Sequence, residues 1–149
     1  MSTFSVVGIC GSLRRASKNM GLLRYAQAHA PQGMSIEIAD LADMPFYNAD
    51  ISDKPAPVIR LLGQLERADA ILLACPEYNY SLAPALKNAL DWASREPDNH
   101  LLAGKRALVI GATAAQFQEK LTIVDATDPA SMSLEKSLAF PAPVRHKME

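Results

Sequence analysis

Two short stretches carry residues whose types and spacing could do chemistry. The first is Gly11-Ser12-Leu13-Arg14-Arg15-Ala16-Ser17-Lys18-Asn19. Its hydroxyls at Ser12 and Ser17, the Asn19 amide and the Arg14 guanidinium are donors suited to phosphate oxygens. The second is Pro76-Glu77-Tyr78-Asn79-Tyr80-Ser81, which offers backbone donors, polar side chains and an aromatic surface. A flat heteroaromatic ligand needs that mixture: an apolar plane to lie against and a few amides to fix its edge. Each stretch also has a plainer reading. Ser17 and Asn19 could cap a helix with the arginines in solvent, and residues 76–81 could be a capped turn with its tyrosines packed on a neighbouring loop.

The surrounding elements decide how such stretches are held. Residues 4–10, FSVVGIC, are short and apolar and predict a buried strand. From Asn19 to about Ala30 the spacing of Met20, Leu23, Ala26 and Ala30 predicts a helix. Strand, polar loop, helix is the layout that aims backbone N–H groups and a positive dipole end at an anion. The loop has neither the Gly-Lys-Ser/Thr ending of a P-loop nor the three-glycine dinucleotide fingerprint. Further along, strands are predicted over 34–39, 68–74, 106–111 and 120–126, and helices over 57–67, from Ser81 or a neighbour to Ala93, and over 131–138. Residues 40–57 form a long loop in which Pro45, Phe46 and Tyr47 are expected to pin the loop to the body.

Strands alternating with helices predict an α/β doubly wound parallel sheet with helices on both faces, in a single domain spanning 1–149 with an irregular tail over 127–149. Ligands of such sheets bind beyond the C-terminal strand ends. The loops at 11–19, 76–81 and 111–115 follow the first, third and fourth strands, so all three are expected on one edge. Fifteen basic against sixteen acidic side chains leave a net charge of −1, which gives no footprint for nucleic acid. The sequence shows no membrane-length apolar run and no signal-peptide layout at Met1-Ser2-Thr3-Phe4, so a cytoplasmic location is expected. Cys10 and Cys75 are expected as free thiols, and the scattered His29, His100 and His146 make no metal site.

Taken together, Gly11-Ser12-Leu13-Arg14-x-x-Ser17-x-Asn19, Pro76-Glu77-Tyr78-Asn79-x-Ser81 and Leu86-Lys87-Asn88-Ala89-Leu90-Asp91-Trp92 resemble the NADPH-dependent FMN reductase family. That family has a flavodoxin-like fold and includes bacterial quinone, chromate and azo-dye reductases. The resemblance runs from about Ser5 to Gly111. It implies that Ser12, Arg14, Ser17 and Asn19 hold the FMN phosphate and that Pro76, Glu77, Tyr78 and Asn79 lie along the isoalloxazine. It implies hydride transfer from NADPH to FMN and on to a small quinone-like acceptor, with Arg15 as a contact for the NADPH phosphate. No catalytic side chain is implied, because the cofactor carries the chemistry. A homodimer or homotetramer is also implied, with Trp92 either an interface anchor or a core residue.

The chain departs from the family after the fourth strand. The glycine-rich loop is replaced by Gly111-Ala112-Thr113-Ala114-Ala115, and only residues 112–120 separate the fourth strand from the next. A parallel crossover needs about a dozen residues or more, so the usual crossover helix does not fit, and one face and one edge of the sheet are expected to lose cover. Two rival readings follow: a degenerate member that acts as an interaction module without flavin, and a flavodoxin-type electron carrier. The balanced charge argues against the carrier, which would dock through a strongly acidic surface.

Overall fold

The architecture is that of a computed structural model, which describes residues 3–112, 120–125 and 134–139. Strand β1 (Phe4–Cys10) leads into helix α1 (Lys18–Ala28), then β2 (Met34–Ala39), α2 (Ala56–Arg67) and β3 (Ala70–Ala74). A two-residue-strand hairpin, β4 (Glu77–Tyr78) and β5 (Ser81–Leu82), precedes α3 (Pro84–Ser94), and β6 (Arg106–Ile110), β7 (Lys120–Asp125) and β8 (Leu134–Ala139) follow. The main sheet runs in the order β2-β1-β3-β6-β7-β8. Its first four strands are parallel, which makes the fold flavodoxin-like α/β.

Alternation along the strands builds a separate core on each face of the sheet. Val7 and Ile9 of β1 and Ile71 of β3 join Val58, Leu61 and Leu65 of α2 and Leu86, Ala89 and Trp92 of α3. Val6, Cys10, Leu72, Ala74 and Ile110 point the other way and pack with Leu23 of α1. The helices are set by their apolar spacing and their ends. Ser17 caps α1 by accepting from the Met20 amide at 3.2 Å. Pro84 opens α3, where a missing N–H costs nothing.

The long loop after β2 is fastened to α3. The Asn88 carboxamide accepts from the Tyr47 amide at 2.8 Å and donates to the Pro45 carbonyl at 2.9 Å. Trp92 Nε1 donates to the same carbonyl at 2.9 Å, and its ring meets Tyr47 edge-on at 5.1 Å. Pinning by Pro45 and Tyr47 thus agrees with the sequence reading, while Phe46 stays 79% exposed. Trp92 is a core residue, 2% exposed, whose polar edge holds this loop.

Three elements differ from the sequence reading. Ser81 does not begin a helix. It lies in β5, and the helix waits for Pro84 because residues 77–82 fold back as a hairpin. Strand β7 is antiparallel to β6, pairing Leu108 with Asp125 and Val109 with Val124, the direction a short connection allows. The helix expected over 131–138 is replaced at Leu134–Ala139 by β8, antiparallel to β7. Its sequence LEKSLA favours a helix locally, and strand pairing overrides that preference. The rest of the expected tail, with His146 and the region from Pro141, lies outside the described residues.

On the α1 face a groove of about 820 Å³ opens over the sheet, lined by Phe4, Tyr25, Met34, Leu72, Arg106 and Leu108 among others. Phe4, Tyr25 and Leu108 are exposed there, in line with the expected loss of cover. No helix among the described residues is long and apolar enough to cross a membrane. Replacing Asn88 by Ala removes two of the three hydrogen bonds described between the long loop and α3 and strands the Tyr47 amide. Urea unfolding should show a loss of about 2 kcal/mol with an unchanged m-value. A loss below about 0.5 kcal/mol would mean that the Trp92 hydrogen bond and packing suffice to hold the loop.

Candidate functional site

Strand register places the candidate site. Cys10 lies opposite Ala74, and Ala74 opposite Ile110, so three parallel strands end level with one another. The loops that follow them start side by side. Gly11 donates to the Ala74 carbonyl at 2.9 Å, and Cys75 to the Ile110 carbonyl at 2.9 Å, which carries the ladder one residue past the strands. Gly11 is required by contact. A Cβ there would sit 2.9 Å from Ala83 Cβ, 3.0 Å from Pro76 Cδ and 3.3 Å from Leu86 Cβ. The first loop therefore rests directly on the segment that leads from β3 into α3.

Beyond Gly11 the backbone leaves the ladder. The N–H groups of Ser12, Leu13, Arg14, Arg15 and Ala16 make no hydrogen bond among the described residues, whereas Ser17 N–H closes a turn on the Arg14 carbonyl at 3.1 Å. The Ser12 side chain is buried (6% exposed), and its hydroxyl likewise has no partner among the described residues. A run of unpaired amides in the loop that leads into the N-terminus of an 11-residue helix is an arrangement suited to an anion. The loop is steadied from below by the Cys10 thiol, which donates to the Ser12 carbonyl at 3.5 Å and lies 3.9 Å from Ser17 Oγ.

Asn19 binds the first loop to the third. Its Nδ2 donates to the Ala112 carbonyl at 2.9 Å, and the Ala112 amide donates to its Oδ1 at 3.0 Å. The residue is 4% exposed. One face of the amide thus replaces a strand neighbour for Ala112, and any contact with a ligand falls to the remaining Nδ2 hydrogen.

A cavity of about 210 Å³ gathers these groups, with Ser12, Arg14, Ser17 and Asn19 on one side and Pro76, Glu77 and Tyr78 on the other. Seven of the eight residues singled out from the sequence therefore line one cavity. Asn79 does not line it. Asn79 and Tyr80 form the tip of the β4–β5 hairpin with φ of 52° and 59°, and Tyr80 is 98% exposed. Arg15 lines a neighbouring groove instead. Ala16, Lys18 and Ala112 complete the lining and were not singled out. The partner of Asn19 could have been sought in the loop after β6, but a backbone group leaves no residue-type signal. Gly111 keeps that loop close to the second one, since a Cβ would lie 3.1 Å from the Cys75 carbonyl. Cys10 and Cys75 are both free thiols. Among the described residues no group of His, Cys, Asp and Glu could hold a metal ion.

A flavodoxin-like sheet with a donor-rich loop after its first strand and an aromatic-bearing loop after its third is an arrangement suited to a nucleotide or flavin. Residues 4–129 match the family model of NADPH-dependent FMN reductases, and the chain belongs to that family. It is 49% identical over 114 residues to a Pseudomonas aeruginosa protein named as an NAD(P)H-dependent FMN reductase, covering 75% of this chain and 61% of that one. It is 39% identical over 130 residues to an Escherichia coli quinone reductase, covering 80% and 69%. Among solved structures it is similar to a flavoenzyme NAD(P)H:(acceptor) oxidoreductase from Paracoccus denitrificans, with TM-score 0.69 and 38% identity over 74% of this chain and 62% of that one. The chain thus spans about three fifths of the length of its relatives from Pseudomonas and Paracoccus.

The Asn19–Ala112 pair has a direct test in hydrogen exchange. In Asn19→Leu, which keeps the volume and removes both bonds, the Ala112 amide should exchange at least roughly tenfold faster while the β1 amides keep their protection. Unchanged exchange at Ala112 would show that the third loop is held by other contacts.

Proposed function

We propose that the protein is an FMN-dependent NAD(P)H oxidoreductase that delivers reducing equivalents to small acceptors of the quinone, flavin, azo or metal-oxyanion type. The observation that carries this reading is a single cavity lined by Ser12, Arg14, Ala16 and Ser17 of the first loop, whose amides from Ser12 to Ala16 are unpaired among the described residues, and by Pro76, Glu77 and Tyr78 of the second. The donor set fits FMN. Its phosphate would be held by those amides, the Ser12 and Ser17 hydroxyls and Arg14 at the positive end of α1. Its ring would lie along Pro76, Glu77 and Tyr78, whose backbone is fixed by the hairpin, with Asn79 at the tip as the outermost contact.

When bound, FMN supplies hydride acceptance and donation, so no side chain needs to act as acid or base. The chain's own part is to fix the phosphate, orient the ring edge and leave the outer ring face open. An acceptor then needs little beyond flatness and a suitable potential. The open edge near Tyr78 and Tyr80, 44% and 98% exposed, supports a wide acceptor range. We further propose that the enzyme acts in the cytoplasm and as a homodimer or homotetramer. The apolar groove at Phe4, Tyr25 and Leu108 is the surface that favours association.

A visible spectrum of the purified protein with added FMN, followed by NADPH without oxygen, tests the reading. A protein-bound flavin band that bleaches on NADPH addition is the expected result. A protein that stays colourless with excess FMN would overturn it and favour the interaction module. A flavin that binds but stays oxidised with NADPH would favour the electron carrier.

A further inference from the structure

The apolar groove on the α1 face lies at the end of the sheet opposite the flavin cavity. Phe4, Met34, Ala70 and Arg106, each the first residue of its strand, all line it. Its rim, Phe4, Tyr25 and Leu108, is the part that favours association, and contact through the rim leaves the floor free. That floor is built from Val6, Ile36, Ala70 and Leu72, and alanines at 26 and 30 of α1 and its exit leave the space above it unfilled. A volume of about 820 Å³ is within the roughly 300–1,000 Å³ of small-molecule sites.

The charge around the groove is one-sided. No acidic residue lines it, and Arg106 has no carboxylate partner within 4.0 Å among the described residues. Asp69, which precedes β3, is held by Ser5, whose amide donates to its Oδ2 at 2.7 Å. The other end of the groove is set by the C-terminus of α1, where the dipole is negative. His29 there is committed to the helix, its Nδ1 donating to the Tyr25 carbonyl at 2.8 Å and its ring stacked on Tyr25. An anionic group is therefore attracted to the Arg106 end alone. Register gives the length between the ends, because Ile36 lies opposite Val6, Val6 opposite Ala70 and Ala70 opposite Arg106. Three interstrand steps make about 14 Å, the extended length of an alkyl chain of about ten to twelve carbons. We propose that this groove binds a free amphipathic monocarboxylate of the fatty-acid type. Its carboxylate meets the Arg106 guanidinium, and its chain crosses Ala70 and Val6 toward Ile36. An apolar protein surface would cover the floor equally well, but a carboxylate also gives Arg106 a charge-assisted partner. The inference is independent of the reductase reading, since the groove and the flavin cavity lie at opposite ends of the same strands.

Calorimetric titration of the full chain with octanoate, decanoate and dodecanoate, each below its micellar range, tests the proposal. Uptake should saturate at one molecule per chain, with affinity rising at least about twofold per added methylene. The neutral 1-decanol separates the head from the chain. Arg106→Gln should weaken decanoate about tenfold and leave 1-decanol within about twofold. Leu108→Glu, which sets a carboxylate two residues along the same face of β6, should abolish decanoate uptake. Arg106 and Leu108 are both exposed, so each variant should fold as the parent does, which far-UV circular dichroism checks. Uptake without saturation, or equal losses of decanoate and 1-decanol in Arg106→Gln, would overturn the proposal. Absence of uptake in the parent would overturn it too, and sedimentation would then show whether a second copy fills the groove.

Discussion

The reciprocal hydrogen-bonded pair between Asn19 and Ala112 is the constraint on which the site depends. It joins the first turn of α1 to the loop after β6, 93 residues away in the chain, through a side chain that is 4% exposed. On the inner side of this clasp, Gly11 lets the first loop touch Pro76 and Ala83. Three loops that leave three strands are thereby fixed to one another as well as to the sheet. Level strand ends bring the loops together, and these two contacts keep them in place. The unpaired amides of residues 12–16 are tolerable in the folded chain because that arrangement holds them at the edge, within reach of water or an anion.

The rest of the fold supplies the platform. Two cores of opposite orientation grip β1 and β3 from both faces, so the strand ends that carry the loops are among the most constrained points of the chain. The loop after β2 is tied separately through Asn88 and Trp92 to α3. Its first residues, Asp40 to Ala42, line the groove beside the first loop.

Much of this was legible in the sequence because local patterns and tertiary demands agree. Strand β2 lies where its alternation predicted it, and α2 begins one residue before the predicted start, because Val58, Leu61, Leu62 and Leu65 have one burial face available. The strand–loop–helix junction was legible from residue types and spacing, and Ser17 there also fills the capping role that the sequence offered for it. The hairpin at 77–82 was not, because its turn is made by Asn79 and Tyr80 in left-handed conformations without a glycine. Strand β8 was missed because LEKSLA is a good local helix, and the pairing that overrides it is long-range in character. The clasp on Ala112 was invisible for a different reason: its acceptor and donor are main-chain groups, which every residue has.

The chain carries loops suited to a flavin beyond its parallel strands, and past β6 its sheet changes direction, with β7 antiparallel to β6. The central claim is that the retained edge suffices to seat the cofactor. A crystal structure of the protein soaked or co-crystallised with FMN tests it most directly. The account predicts the phosphate within hydrogen-bonding distance of the amides of residues 12–16 and the Ser12 hydroxyl, the ring edge along residues 76–78, and the Asn19–Ala112 pair unbroken. A phosphate bound elsewhere, or an Asn19 that must release Ala112 to reach it, would contradict the account.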